Sequence, residues 1–161
     1  LKKWIIIFIS IIVVVVISQS WITYHKTVSY KNKEENTAIK KAEKHDKISS
    51  SQISNVTYYN GKTPYHIIRT KKKNKDVYLW VPDTKKGSYI ERNVKDGITK
   101  NKALSIFYSL KYDTLKVVSV KLGAINDVPI WEVTFLDHQK RYNYVSLTFD
   151  DGKEIQHILH I

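Results

Sequence analysis

The chain has no cysteine and no methionine, and only five glycines among its 161 residues. Without cysteine there is no disulfide, no thiolate metal site, no cysteine nucleophile and no lipid-modified cysteine behind the apolar N-terminal segment. No phosphate-cradling glycine loop occurs, and neither Gly-x-Ser-x-Gly nor His-Glu-x-x-His is present. The remaining acids and histidines do not replace these motifs. Asp150-Asp151 is followed by Gly152, which reads as a hairpin turn rather than an acid/base pair or a calcium site. His157 and His160 stand three apart in an expected strand and so point to opposite faces. His66 and His138 have no acidic neighbour in motif spacing. The sequence offers no catalytic constellation, no metal site and no cofactor site, and the expectation is that the protein is not an enzyme.

What is present begins with a long apolar run. Trp4 to Ile22 reads WIIIFISIIVVVVISQSWI, interrupted only by Ser10 and by Ser18, Gln19 and Ser20. At about 1.5 Å per residue a helix of this length spans roughly 28 Å, close to the hydrocarbon thickness of a bilayer. Trp4 and Trp21 bracket the run and Tyr24 follows, where amphipathic rings favour the headgroup region. The competing reading is a cleaved signal peptide with Lys2 and Lys3 as its basic region, but Ser18, Gln19 and Ser20 make a poor cleavage site and the apolar run continues past them. An anchor over 4–22 is therefore expected, preceded by a tip at 1–3 and followed by a polar spacer over 23–32. Charge leaves the orientation nearly balanced, with Lys2 and Lys3 on one side and Lys26, Lys31 and Lys33 on the other.

Beyond residue 22 stand 25 lysines and arginines (27 less Lys2 and Lys3) against all 15 acidic residues, a formal charge of +10. Such a field either keeps a lysine-rich surface soluble or attracts anionic polymers and lipid headgroups. The anchor argues against nucleic acid. Lys71, Lys72, Lys73 and Lys75 cluster at an expected hairpin tip, either as a solvated turn or as an electrostatic contact for phosphate-rich polymers or lipid.

The remainder of the chain repeats its landmarks at a spacing of 65 residues: Ala38, Pro64, Gly87 and Ile90 are echoed by Ala103, Pro129, Gly152 and Ile155. Two small α+β units are expected, over 33–94 and 95–161, each a helix laid on an antiparallel sheet. A unit of about 60 residues buries only around 60% of its unfolded surface, so the two are expected to pack on one another. In the first, Ala38, Ile39, Ala42, His45 and Ile48 form a thin apolar stripe on a helix from Lys33 to Ile48. Strands follow at Ile53–Tyr59, Pro64–Thr70 and Asp76–Val81, with Asn60-Gly61 as the first hairpin turn. Val77 to Val81 is apolar on both faces and asks for cover on two sides. In the second unit Thr99 is the N-cap of a helix through Leu110 that buries Ala103, Leu104, Phe107 and Tyr108. Three alternating strand sets follow, Val118/Val120/Leu122, Trp131/Val133/Phe135 and Val145/Leu147/Phe149, before a last strand from Glu154 to Ile161.

The second unit resembles a PepSY domain, on Val118 and Val120, Pro129 to Val133, Tyr142 and Tyr144, and the Asp150 to Ile155 hairpin. The resemblance implies a cystatin-like fold and a role in inhibiting or chaperoning peptidases or in binding proteins at cell envelopes. The first unit departs from the pattern, with Tyr65-His66 where the second has Ile130-Trp131. The whole layout, an N-terminal membrane segment and two such units, is similar to the TseB-like cell-wall elongation regulators of Gram-positive bacteria. That resemblance implies a single-pass membrane protein, N-terminus cytoplasmic and C-terminal units extracellular, whose partner is a penicillin-binding protein or another envelope membrane protein active in peptidoglycan synthesis. A membrane-tethered peptidase inhibitor or chaperone, and a binder of anionic wall polymer, remain the alternatives.

Overall fold

One continuous helix, α1 (Lys2–Asp46), opens the chain. The structure, a computed structural model, describes residues 2–161, with side chains for all of these except 2–11 and Tyr30. The chain divides into two units, Leu1–Thr37 and Ala38–Ile161.

In the first unit the polar residues of α1 do not interrupt it. Ser18, Ser20 and Thr27 each donate a hydroxyl hydrogen to the carbonyl four residues back, at 2.8, 2.8 and 2.9 Å, so each side chain is satisfied within the helix. The spacer expected over 23–32 is accordingly helical. Ile12 to Ile17, Trp21, Ile22 and Tyr24 are exposed. Among the described residues no helix is long and apolar enough to cross a membrane. The anchor expected over 4–22 falls partly on residues 4–11, and the side chain of Trp4 lies outside the described residues.

The second unit is α+β, with two four-stranded antiparallel sheets. The end of α1 supplies its first layer, burying Ala38 and Ala42, and the helix stops where Lys47 adopts a left-handed φ of 53°. Ser49 then caps a single 3-10 turn, Ser50–Gln52, through a reciprocal capping box. The first sheet has the order β1 (Ile53–Tyr59), β2 (Tyr65–Lys72), β3 (Lys75–Pro82), β4 (Ile90–Asn93). Helix α2 (Lys100–Ser109) starts at Thr99, whose hydroxyl accepts from the Lys102 N–H at 3.2 Å. The second sheet follows in the same serial order, β5 (Lys116–Ile125), β6 (Val128–Leu136), β7 (Tyr142–Thr148), β8 (Glu154–Ile158).

Turn chemistry differs from expectation at one hairpin. Asn60-Gly61 lies in the β1–β2 connection, but that connection takes residues 60–64, and Gly61 does not adopt the positive φ that a two-residue turn requires. The tight turns lie elsewhere, at Lys73-Asn74 (φ 50° and 63°) and Asn126-Asp127 (φ 48° and 63°). The Asp150-Asp151-Gly152 turn is present, with Gly152 at φ 77°. Two burial expectations in the second half are also corrected. Val118 is exposed, because a bulge between Val117 and Ser119 shifts the β5 register and Val117 packs on the core in its place. Tyr108 is exposed while Ala103 and Phe107 are buried, so the apolar face of α2 is narrower than its composition suggests.

Strand β3 decides how the layers stack. Its Val77, Leu79 and Val81 join Ala38, Ala42 and Ile48 in one buried cluster, while Trp80 joins Tyr59, Tyr65 and Ile67 in a second cluster shared with β5, β6, β7 and α2. The first sheet is thus buried on both faces, as the two-sided apolar pattern of Val77 to Val81 requires. Trp80 is fully buried and its indole N–H donates to the Gly123 carbonyl at 2.8 Å. Gly123 admits no side chain, since a Cβ there would lie 2.5 Å from the Tyr59 ring. Phe149 meets Trp80 edge-on with ring centroids 5.6 Å apart.

Replacing Trp80 by Phe removes this buried hydrogen bond and opens a cavity, and about 2 kcal/mol or more of stability is expected to be lost in urea denaturation. Gly123→Ala is expected to cost about 1–3 kcal/mol by overpacking against Tyr59. Because the two residues touch, the double variant is expected to lose less than the two effects added together.

Candidate functional site

The last turns of α1 and the β3–β4 connection face each other across an open groove of about 770 Å³. Helical spacing puts Lys41, Lys44 and His45 on its wall, because Ala38 and Ala42 turn the other side of the helix onto the sheet. The opposite wall comes from Val81, Pro82, Asp83, Lys85 and Tyr89, where β3 runs out of the sheet and the chain returns to β4. Lys41 Nζ donates to the Pro82 carbonyl at 3.1 Å and so joins the two walls directly.

Beneath this groove lies a charged network centred on Asp46, the last residue of α1, whose side chain is only 3% exposed. Lys72 Nζ reaches Asp46 at 2.8 Å and Glu91 at 2.6 Å, and the Tyr89 hydroxyl donates a short hydrogen bond to the other Asp46 oxygen. The His45 ring stacks on Tyr89 at 4.0 Å and 24°, holding that ring flat against the helix. Burial pushes the Asp46 carboxyl upward, but the hydrogen bonds from Lys72 and Tyr89 and the Lys72 charge outweigh it and hold the group below the usual carboxylate range. Tyr89 is pushed well above the ordinary phenol range, by burial first and then by the same carboxylate. His66, 4% exposed, sits 2.7 Å from Asp83, so the one acidic side chain lining the groove already has a partner.

The residues singled out in the sequence are dispersed. Lys71, Lys73 and Lys75 are exposed around the Lys73-Asn74 turn, whereas Lys72 turns inward to Asp46 and Glu91. Trp21 and Tyr24 are exposed on α1, with the Trp21 and His25 rings 4.7 Å apart. Asp151 accepts from Thr148 and, at 3.0 Å, from the Lys153 N–H, which is turn chemistry. His157 Nδ1 pairs with Glu154 at 2.7 Å, and His160 offers its backbone N–H to Asn143, so the two histidines serve separate contacts. Among the described residues no group of His, Asp or Glu has the arrangement of a metal site.

Several residues that matter here carry no local signal. Asp127, at a turn in the second half, accepts from the Tyr65 hydroxyl at 2.6 Å and from the Ser88 N–H and hydroxyl at 3.0 and 2.6 Å. The Ser88 bonds first, then Tyr65, hold its carboxyl below the usual range. Glu132 accepts from the Tyr59 hydroxyl at 3.1 Å, and burial raises its carboxyl. An Asn-Asp pair before a strand signals a hairpin turn, but nothing in the sequence pairs Asp46 with Lys72 or His66 with Asp83.

Because the folded Asp46 titrates lower than an unfolded Asp, near 3.9, its stabilising contribution is complete above that value and disappears as pH falls through the folded one. Asp46→Asn is expected to cost about 1–3 kcal/mol at neutral pH. The gap from the native chain should close as urea midpoints are followed from pH 6 down to pH 2.

No family model matches the chain. It is 32% identical over 129 residues to the probable cell wall elongation regulator TseB of Bacillus subtilis strain 168, covering 78% of this chain and 78% of that protein. Among solved structures it is similar to the YpmB protein from Bacillus subtilis, with a TM-score of 0.68, 30% identity and coverage of 76% of this chain and 94% of that one. Agreement in sequence and in fold over about three quarters of the chain identifies it as a member of the TseB family of cell wall elongation regulators.

Proposed function

We propose that the protein is a single-pass, extracytoplasmic, non-enzymatic binding protein that regulates cell wall elongation by engaging a penicillin-binding protein. The observation that carries this reading is the 32% identity over 78% of the chain to a relative named as a probable cell wall elongation regulator. The serial repetition of helix and four-stranded meander supports two cystatin-like, PepSY-like units, with 33–94 and 95–161 as their bounds. The apolar run over 4–22 supports an anchor, with Trp4, Trp21 and Tyr24 at its interfaces and Lys2 and Lys3 on the cytoplasmic side. An anchor confines the search for a membrane partner to the bilayer surface, so a weak contact acts at high effective concentration. The test is crosslinking in cells followed by pulldown of the full chain. Capture of a penicillin-binding protein, lost when Ala38–Ile161 is deleted, is expected; its absence from the crosslinked material would sink the reading.

A second reading has one specific observation in its favour, the exposed Lys71, Lys73 and Lys75 at the β2–β3 tip. If the tip binds an anionic wall polymer, affinity falls steeply with added salt and with replacement of these lysines by Gln. Salt-insensitive sedimentation with purified wall polymer would remove it.

A further inference from the structure

The groove beside α1 joins two chemistries that a single class of ligand satisfies. Its floor is apolar and aromatic, made by the half-buried Pro82 and Tyr89 over the fully buried Val81; the Tyr89 hydroxyl is turned away onto Asp46 and His45 stacks on its ring. Its rim carries three exposed lysines, Lys41, Lys44 and Lys85, against one carboxylate, Asp83, already engaged by His66. Lys41 spends one hydrogen on the Pro82 carbonyl. Lys44 on the helix and Lys85 on the facing connection leave positive charge on both walls above an apolar base.

A purely anionic polymer would meet the lysines and leave the apolar floor wet. A purely apolar segment would cover the floor and bring uncompensated ammonium groups to the edge of a desolvated contact, which costs free energy. The groove is open, and its volume of about 770 Å³ is within the size range of ligand-binding clefts.

We propose that this groove docks an acidic segment of a partner protein that also carries a large apolar side chain. Carboxylates of the segment meet Lys44 and Lys85, and the apolar side chain lies on Pro82 and the exposed part of Tyr89. This rests on the protein-binding reading above and assigns it a contact surface, one separate from the lysine tip at β2–β3.

The probe is a fluorescein-labelled peptide, Glu-Asp-Phe-Glu-Leu-Asp, titrated by fluorescence anisotropy against the full chain in phosphatidylcholine nanodiscs at low salt. Two control peptides separate the chemistries, one with amides in place of the acids and one with Ser in place of Phe and Leu. The acidic apolar peptide is expected to bind, and each control at least about tenfold more weakly, since charge and apolar contact both contribute. The double variant Lys44→Glu with Lys85→Glu is expected to weaken binding by about tenfold or more, and salt to weaken it in the native chain. Its urea midpoint is measured alongside. If it does not fold, Lys44→Gln with Lys85→Gln is expected to show the same direction of change. Absence of peptide binding, or binding unchanged in both double variants, would overturn the proposal. Equal binding of the Ser peptide, with competition by inorganic polyphosphate, would also overturn it by making the groove a general polyanion site. Loss of peptide binding with persistent crosslinked capture of a penicillin-binding protein would remove the groove and leave the regulator reading standing. Peptide binding without that capture would do the reverse.

Discussion

The structure of the second unit depends on β3 being covered from both sides. A strand with Val77, Leu79 and Val81 on one face and Trp80 on the other cannot sit at a protein surface. Two covers are supplied, the small-residue face of α1 through Ala38 and Ala42, and the second sheet through the seam where Trp80 donates to Gly123. That indole bond fixes more than a contact, because the Tyr59 ring lies directly on the same glycine. Any shift of one sheet across the other would break the bond and drive the ring into backbone. Asp127 and Glu132, each receiving a tyrosine hydroxyl from the first sheet, add polar ties around this apolar seam.

The groove follows from the other cover. Alanines let the helix approach the sheet closely, so the longer side chains beside them, Lys41, Lys44 and His45, are left at the margin. The helix ends at Asp46, ahead of the left-handed Lys47, and puts that carboxylate in reach of Lys72 from the sheet and Tyr89 from the returning chain. The network therefore holds both walls of the groove in place without occupying it. Its two carboxylates, Asp46 and Glu91, share the single Lys72 ammonium, whereas Lys44 and Lys85 stand exposed at the rim.

Much of the element order was legible in the sequence, and for a physical reason. Thr99 as an N-cap, the turn at Asp150 to Gly152 and the alternating strands depend on neighbours only a few residues away. The demand for cover on both sides of Val77 to Val81 was readable too, since it is a property of one strand. Errors arose where one residue changed register or conformation. The bulge beside Val118 exchanged its inward role with Val117, and Asn60-Gly61 was too strong a turn signal for a connection whose shape is set by packing. The echo of Gly87 in Gly152 joins residues in different backbone conformations, because only Gly152 adopts a positive φ.

The candidate site was much less legible. Its pairs join residues far apart in the chain, Asp46 with Lys72 and Tyr89, His66 with Asp83, and Asp127 with Tyr65 and Ser88. Local pattern gives each residue a face and a likelihood of burial but no partner across a sheet or between layers. By itself the sequence determined the α+β class, the apolar N-terminal run, the excess of positive charge and the absence of cysteine chemistry. Only the tertiary structure decided which lysines are paired and which stay open, because that depends on strand register and on how closely one helix sits on one sheet.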